Sequence, residues 1–293
     1  MSVFPASVTP FDASGEVDHP SVVRLISLFR STGCRGVVLA GTNGEGPSLS
    51  AVEKRDLVRL ATSVAENLEI ILGISTSSLS EAVWLAQQAA KTGASAGLVM
   101  PPSYFHEASE EGLYRWFLAL ADAGPLPLIL YNFPQRTRVP LGPDLVARLA
   151  RHERIVGLKD SSGERANLEG YAHAIGHKRL YVGDETLLME ALEKGWTGTI
   201  SGAANILSDW LVQIVEDRDE ESRRTKYAYL RAGIEELRLG PQPTLNKSLL
   251  AEMGIIEGAR MRLPLMDAEA TRVASAKERL QPYVRFGEKR SEP

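Results

Sequence analysis

Cysteine is almost absent from this sequence of 293 residues, in which Cys34 is the only one. A lone thiol cannot form an intrachain disulfide, which suits the reducing cytosol, and we therefore expect a cytoplasmic protein. Metal sites built from several thiolates are excluded, and the five histidines show no ligand spacing on one helix face. The sequence thus predicts no metal site, and Cys34 is expected to be a buried small hydrophobic residue.

Long apolar runs and a large excess of one charge are missing as well. No apolar stretch approaches the roughly eighteen residues that a membrane span requires. The start of the chain shows neither the basic region nor the apolar core of a signal peptide. The formal net charge is only −4, so we expect no basic surface for nucleic acid or anionic lipid. Membrane and nucleic-acid-binding functions are therefore disfavoured.

The sequence does contain a regular alternation of short apolar runs with longer amphipathic stretches. The runs are too short for helices and are rich in Val, Ile, Leu and Tyr, which is typical of buried parallel strands. They lie at residues 3–11, 36–41, 69–74, 96–100, 127–132, 155–159, 180–184 and 198–202. Eight runs, each followed by a helical segment, predict an α/β fold of the (β/α)₈ or TIM-barrel type. A doubly wound open sheet would need a glycine-rich phosphate turn after the first strand, and none is present.

The helical segments carry capping signals. Ser50 with Glu53 three positions later has the pattern of a capping box, and Gly93 is placed to end the helix that precedes it. From residue 219 onward the strands cease and three more helices are predicted. We therefore predict a barrel over residues 1–218 and a C-terminal helical appendage over 219–293, packed on the barrel.

The C-terminal ends of the strands share one face of such a barrel, and chemistry is expected there. Strand five ends near Tyr131 and strand six ends at Lys159, so adjacent strands place a phenol and an amine side by side. Most lysines at strand ends lay their stem along apolar surface with the ammonium in water, and this alternative stays open for Lys159 taken alone.

Enclosure by barrel walls gives a lysine a different chemistry. Burial disfavours the charged form of an amine, and a neutral amine can add to a carbonyl and form a Schiff base. The protonated imine is an electron sink that stabilises an enamine at the neighbouring carbon. A phenol such as Tyr131 is able to move the protons that these steps require. The pair therefore predicts covalent catalysis on a carbonyl substrate.

The loop after strand two, GTNGEGPSLS at residues 41–50, is a candidate carboxylate site. Its glycines would let the backbone approach a ligand closely. Thr42 and Asn43 offer side-chain and backbone donors where a helix begins, which suits an anion. An ordinary exposed loop would have the same composition, so the loop alone does not decide between the two interpretations.

Three motifs in register resemble those of the pyruvate-dependent class I aldolases: GTNGE (41–45), YNFPQRT (131–137) and GLKDSSG (157–163). That superfamily includes dihydrodipicolinate synthase, N-acetylneuraminate lyase and the 2-keto-3-deoxy sugar acid aldolases. The resemblance covers essentially the whole chain. It implies a TIM barrel with a C-terminal helical part, assembled as a homotetramer or homodimer, and an enzyme that needs no metal or organic cofactor.

The resemblance also implies roles for individual residues. Lys159 would form the imine with pyruvate or another 2-oxo acid, and Tyr131 would transfer protons. The turn of Thr42 and Asn43 would hold the carboxylate derived from pyruvate. Ile200 would supply a backbone carbonyl near the site.

The resemblance also implies a role for Arg136 in binding the second substrate, an aldehyde. In the family's synthases, the arginine of the YN-x-P-x-R-T motif pairs with the carboxylate of aspartate semialdehyde, and a planar guanidinium suits that geometry. The alternative is a surface arginine bonded to loop carbonyls. The synthases also carry two threonines where this chain has Thr42 and Asn43, and an amide cannot pass a proton as a hydroxyl does. In this respect the loop is more similar to aldolases that act on hydroxylated 2-oxo acids.

A second tyrosine, from a neighbouring subunit, completes the proton relay of the synthases, and here Tyr104 or Phe105 would take that place. We therefore expect a Schiff-base lyase of the dihydrodipicolinate synthase type. It would condense pyruvate with an aldehyde such as aspartate semialdehyde, or cleave a related 2-oxo acid. The alternatives are a 2-keto-3-deoxy sugar acid or 4-hydroxy-2-oxoglutarate aldolase, and a non-catalytic protein that binds a 2-oxo acid, which should lack the lysine or the tyrosine.

Overall fold

The predicted apolar runs form eight parallel strands in the computed structural model, which describes residues 1–286. The strands are β1 (Ser2–Pro5), β2 (Gly36–Leu39), β3 (Glu69–Ile74), β4 (Ala96–Val99), β5 (Leu128–Asn132), β6 (Ile155–Asp160), β7 (Arg179–Val182) and β8 (Gly198–Ser201). Each pairs with the next along the chain, β8 pairs with β1, and a bridge between Ala6 and Val38 joins the first strand to the second. The sheet is a TIM barrel, as the sequence predicts.

Twelve α-helices lie within the described part of the chain. They are α1 (His19–Ser31), α2 (Ala51–Val64), α3 (Leu79–Lys91), α4 (Glu110–Asp122), α5 (Pro134–Thr137), α6 (Pro143–Leu149), α7 (Arg165–Ile175), α8 (Leu188–Glu193), α9 (Ala204–Glu216), α10 (Glu220–Arg238), α11 (Gln242–Glu252) and α12 (Ala270–Leu280). Single turns of 3₁₀-helix precede α2 and α8, at Gly46–Ser48 and Glu185–Leu187. Every strand is followed by a helix, in agreement with the sequence pattern.

Local sequence explains where the helices begin and end. The Ser50 hydroxyl accepts a hydrogen bond from the Glu53 N–H while the Glu53 carboxylate accepts one from the Ser50 N–H, so the predicted capping box is present. Gly93 has a φ of 94°, the left-handed conformation that ends α3. After β5 the expected helical segment is divided into α5 and α6. Arg138 has a left-handed conformation that ends α5 and Pro140 follows it, while Pro143 is the first residue of α6, a position that suits proline.

The barrel interior is a packed core. Its filling side chains come from alternate positions of the strands: Phe4, Val38, Ile71, Leu98, Ile129, Tyr131, Tyr181 and Ile200. A larger apolar layer lies between the outer faces of the strands and the surrounding helices. Because side chains fill the interior, the open space lies at the ends of the strands, where the loops meet.

The three predicted C-terminal helices are α10, α11 and α12. Helix α11 packs against α9, and Asn246 and Lys247 on α11 are fully buried although both are polar. The Asn246 amide donates to the carbonyl of Gly202, just after β8, so α11 reaches the C-terminal ends of the strands. The division of the chain at residue 218 stays a prediction, and residues 287–293 of the predicted appendage lie outside the described residues.

Candidate active site

Tyr131 and Lys159 lie side by side at the carboxyl ends of β5 and β6. They are partners in the register of the two strands, and the Lys159 Nζ atom lies 4.3 Å from the centroid of the Tyr131 ring. The two residues are 3% and 5% exposed, respectively, and both line a cavity of about 190 Å³ at the barrel mouth. The adjacency that the sequence predicts is thus observed. The small exposure of Lys159 disfavours the alternative in which its ammonium lies in bulk water.

A buried carboxylate fixes the strand ends that carry this pair. Asp160 Oδ1 accepts hydrogen bonds from Asn132 Nδ2 at 2.7 Å and from the Ser162 N–H at 3.2 Å. Its other oxygen accepts from the Ser162 hydroxyl at 2.8 Å, and the Asn132 side-chain oxygen accepts from the Leu141 N–H at 3.0 Å. Burial raises the pKa of Asp160, and the hydrogen bonds oppose that rise. Since β5 and β6 are joined by Asn132 and Asp160, the preceding residue on each strand is held facing the cavity.

The loop after β2 is packed tightly against backbone. A Cβ atom on Gly44 would lie 2.8 Å from the Ser7 carbonyl oxygen, and one on Gly46 would lie 1.9 Å from that of Ala40. The Thr9 hydroxyl donates to the Gly44 carbonyl at 2.7 Å. These two glycines therefore serve contact between the loop and neighbouring backbone, whereas the sequence suggested that they serve contact with a ligand.

Thr42 and Asn43 both line the cavity. Neither backbone N–H donates a hydrogen bond to any described residue. Asn43 as a whole residue is 7% exposed. Its side-chain amide donates to Gln242 Oε1 at 3.4 Å, and its side-chain oxygen accepts from Asn246 Nδ2 at 3.3 Å. Helix α11 therefore sets the orientation of Asn43, and two N–H donors at the turn face no competing acceptor in the described chain.

The remaining three residues predicted from the sequence, Arg136, Tyr104 and Ile200, differ in exposure and in their position relative to the cavity. Arg136 is exposed, lines the cavity and pairs with no carboxylate among the described residues. Tyr104 is 77% exposed, packs edge-on against Phe105 and does not line the cavity of its own chain. Ile200 is fully buried in the barrel interior, and the cavity is lined by Gly202 two residues later. The roles of these residues stay predictions.

Part of the cavity wall was not anticipated from the sequence. Arg238, Gln242 and Pro243 reach it from the C-terminal helices, and Phe133, Ser161 and Asp184 reach it from strand-end loops. Arg238 makes ion pairs with Asp184 at 2.8 Å and Glu185 at 3.0 Å. The segment Gly183–Asp184–Glu185 could have been found from the sequence, because it follows the end of the seventh strand. Nothing in the local pattern indicates that Arg238, 54 positions away from Asp184, meets it.

Known proteins share both the sequence pattern and this geometry. A model described as the dihydrodipicolinate synthetase family matches residues 1–282. The chain belongs to the dihydrodipicolinate synthetase family. The 4-hydroxy-tetrahydrodipicolinate synthase of Pseudoalteromonas atlantica is 34% identical over 270 residues, which cover 90% of this chain and 92% of that protein. The corresponding enzyme of Hyphomonas neptunium is 36% identical over 273 residues, which cover 91% and 92%.

Solved structures of the dihydrodipicolinate synthetase family agree with the fold. The chloride-inhibited dihydrodipicolinate synthase of Acinetobacter baumannii, complexed with pyruvate, superposes with a TM-score of 0.91 at 32% identity and covers 97% of this chain and 99% of its own. YagE, a family member from E. coli in complex with pyruvate, gives 0.91 at 27% identity, with 96% and 98% covered. The predicted enzyme class, a class I aldolase or lyase of the dihydrodipicolinate synthase type, is thereby confirmed.

Within residues 1–286, no helix is both long enough and apolar enough to cross a membrane. The roles that the motif resemblance implies for Arg136 and Asn43 stay predictions.

Proposed function

We propose that this protein condenses pyruvate with a small aldehyde, or cleaves the corresponding 2-oxo acid, through a Schiff base on Lys159. The observation that carries the proposal is the Lys159 amine, buried in the cavity wall 4.3 Å from the centroid of the Tyr131 ring. The amine would add to the C2 carbonyl of pyruvate, and loss of water would give the iminium ion. Removal of a proton from C3 then gives an enamine, which attacks the aldehyde carbon, and water releases the product.

Tyr131 is the proposed proton-transferring group. Its phenol lies on the strand next to the amine, within the same cavity. The carbinolamine must gain a proton on its departing hydroxyl, and the new alkoxide of the aldol adduct must be protonated as well. A group fixed beside the nitrogen serves both steps.

The Thr42–Asn43 turn is the proposed site for the pyruvate carboxylate. Its support is the pair of backbone N–H groups that donate to no described residue, together with the Thr42 hydroxyl at the cavity wall. Backbone donors at a turn are well suited to an anion. The Ile200 carbonyl, on β8 two residues before the cavity-lining Gly202, is proposed to lie near the reacting atoms.

Arg136 is the proposed recognition group for a second carboxylate, which would be that of aspartate semialdehyde. Its guanidinium lines the cavity and its charge is not neutralised by any described carboxylate, unlike that of Arg238. Its guanidinium lies 5.9 Å from the centroid of the Phe133 ring, and a guanidinium with no carboxylate partner at a cavity wall suits a bidentate carboxylate.

A 2-keto-3-deoxy sugar acid or 4-hydroxy-2-oxoglutarate aldolase is the second candidate. The observation that favours it is Asn43, whose side-chain amide is hydrogen-bonded to Gln242 and Asn246. At this position the synthases that the motifs resemble have a threonine, whose hydroxyl can pass a proton, whereas an amide cannot do so in the same way. Amides recognise hydroxyl groups well. Turnover of aspartate semialdehyde with pyruvate, compared with cleavage of hydroxylated 2-oxo acids, separates the two functions.

We further propose a cytoplasmic homotetramer or homodimer in which Tyr104 enters the site of a neighbouring subunit, with Phe105 as the alternative. The support is the exposure of this aromatic pair, 77% and 72%, on a loop of the barrel. The two rings are in contact and form one apolar patch, and contiguous exposed apolar patches are typical of interaction surfaces. Light scattering on the purified protein gives the number of subunits, and Tyr104→Ala and Phe105→Ala separate the two aromatic residues by their effect on turnover.

Borohydride reduction in the presence of pyruvate tests the proposed function. Mass spectrometry should find one pyruvate-derived fragment for each chain, attached to Lys159. Lys159→Ala is the matched control and should remain unlabelled and inactive while it keeps its fold. A wild-type protein that binds pyruvate without label or turnover would instead be a non-catalytic binding relative.

A further inference from the structure

We propose that Glu45 and Lys247 are positioning residues for the carboxylate site: their buried ion pair holds the Thr42–Asn43 turn in the shape that binds the substrate carboxylate. This inference rests on the proposed function, because it gives a role to the same turn. Glu45 lies in the loop after β2, and Lys247 lies on α11. Neither residue lines the 190 Å³ cavity, so both would act through the turn.

The pair is sealed from solvent. The side chains of Glu45 and Lys247 are both 0% exposed, and the Lys247 ammonium contacts Glu45 Oε1. The ammonium also donates to the Arg260 carbonyl at 2.8 Å and lies 4.0 Å from the centroid of the Phe11 ring. Glu45 Oε2 accepts a hydrogen bond from the Arg262 N–H at 2.9 Å. No described donor makes an aligned hydrogen bond to Glu45 Oε1, so its partner is the charge of Lys247.

The backbone at Glu45 has a strained conformation, and the buried ion pair with Lys247 helps to hold it. Glu45 has φ 51° and ψ 35°, and Ala40 at the start of the loop has φ 52°. Left-handed conformations are uncommon for residues with a side chain and persist where the surrounding structure fixes them. The Glu45 N–H donates to the Thr42 carbonyl at 3.2 Å and closes the turn. A change in the conformation of Glu45 would therefore move the free N–H groups of Thr42 and Asn43.

Helix α11 fixes the turn at two consecutive positions. Asn246 donates to the side chain of Asn43, and Lys247 pairs with Glu45. The helix is itself anchored to the barrel, because Asn246 also donates to the Gly202 carbonyl at 2.9 Å. The C-terminal helices thus contribute to the active site in two ways: Asn246 and Lys247 hold the loop after β2, and Gln242 and Pro243 line the cavity itself.

The choice of variants follows from the burial of both charges. Removing Lys247 alone would leave a buried carboxylate without its partner, which commonly prevents folding. Replacing both charges by neutral side chains of similar size is tolerated far better. Glu45→Gln with Lys247→Met removes the ion pair and keeps most of the volume. Glu45→Gln alone is the second variant: its amide oxygen remains an acceptor for the Arg262 N–H, and the Lys247 amine, whose pKa burial already lowers, can lose its proton instead of staying as an unpaired buried charge. Glu69→Gln is the control, since Glu69 pairs with Arg35 and Arg179 at the opposite end of the barrel.

The experiment measures borohydride labelling of Lys159 as a function of ketone concentration, with pyruvate and with acetone, which has the keto group but no carboxylate. In the double variant the half-saturating pyruvate concentration should rise by about tenfold or more, as expected when charge-assisted hydrogen bonds to a carboxylate are weakened. Labelling by acetone, and labelling at saturating pyruvate, should stay close to wild type. Glu45→Gln should show a smaller rise in the same direction, and Glu69→Gln should show none.

Two results would overturn the inference while leaving the proposed function intact. One is an unchanged half-saturating pyruvate concentration in folded Glu45→Gln or the folded double variant. The other is an equal loss of labelling with pyruvate and acetone, because a general disturbance of the site does not depend on the carboxylate. Failure of pyruvate to label wild-type Lys159 is a different outcome, which would overturn the proposed function and with it this inference.

Discussion

Lys159 and Tyr131 face one another across two neighbouring strands, with the amine 4.3 Å from the centroid of the phenol ring. The hydrogen bond between Asn132 and Asp160, one position further along each strand, ties the same two strand ends together. A flexible four-carbon side chain is thereby held at a defined height in the barrel mouth. The proposed chemistry depends on this relationship.

Tyr131→Phe should slow turnover by roughly a hundredfold to ten-thousandfold, the usual contribution of a positioned proton-transfer group. The fold should be kept, because the ring still packs beside Lys159 and Phe133. Steady-state turnover, with circular dichroism as the check on folding, measures the effect. If the variant turned over substrate at the wild-type rate, Tyr131 would have no part in proton transfer.

Arg136→Ala should raise the KM of the aldehyde substrate far more than the KM of pyruvate. The physical reason is that only the second substrate would place a carboxylate against this guanidinium. Arg115→Ala on the surface of α4 is the matched control, since Arg115 pairs with Glu111 there and does not line the cavity. Equal increases in the two KM values would show that the assignment of Arg136 is wrong.

Lys247 should contribute a part of the free energy of unfolding that rises with pH in the alkaline range. Burial lowers the pKa of this ammonium to about 8, although Glu45 and Asp267 favour the charged form, while Arg262 disfavours it. The unfolded chain keeps the usual lysine pKa of about 10.4. Between these two values the unfolded state binds more protons than the folded state, so stability increases with pH, by up to about 3 kcal/mol from this group.

Urea unfolding at about pH 7.5 and about pH 9.5 measures this dependence, in wild type and in the Glu45→Gln, Lys247→Met variant. The variant lacks the titrating group, so its stability should rise less between the two pH values, or fall. The same pH dependence in both proteins would mean that Lys247 does not titrate in this range.

Cys34 should be unreactive toward thiol reagents in the native protein at about pH 8. It is 6% exposed, and burial raises its pKa to about 11, so the nucleophilic thiolate is scarce as well as inaccessible. One thiol for each chain should react after unfolding in urea. Rapid labelling of the native protein would show that the segment around Cys34 opens readily.

The barrel and the pair of Lys159 and Tyr131 could be predicted from the sequence, because both follow from a repeated pattern. Apolar runs recur once per repeat unit, and residues at the ends of successive runs must share one face. The order of the residues alone therefore places Lys159 and Tyr131 together. It also places Asp160 next to them, but the role of Asp160 in joining the strands depends on the side-chain geometry of Asn132 and Ser162.

The C-terminal contribution could not be predicted from local pattern. Asn246 contacts Asn43 across 203 positions of the chain, and Arg238 reaches Asp184 from the end of α10. The period of an amphipathic helix identifies its buried face without saying which loop that face covers. The burial of Lys247 could not be predicted either, because a lysine within a helix is normally expected to face solvent. The contacts of Tyr104 are also not predictable from local pattern, because the site that it is proposed to enter belongs to another subunit.

A crystal structure of the protein soaked with pyruvate tests the central claim most directly. The account predicts continuous density from Lys159 Nζ to C2 of the ligand, with the carboxylate against the N–H groups of Thr42 and Asn43. Density that joins the ligand to another side chain, or an unmodified Lys159 amine directed into solvent at saturating pyruvate, would contradict the account.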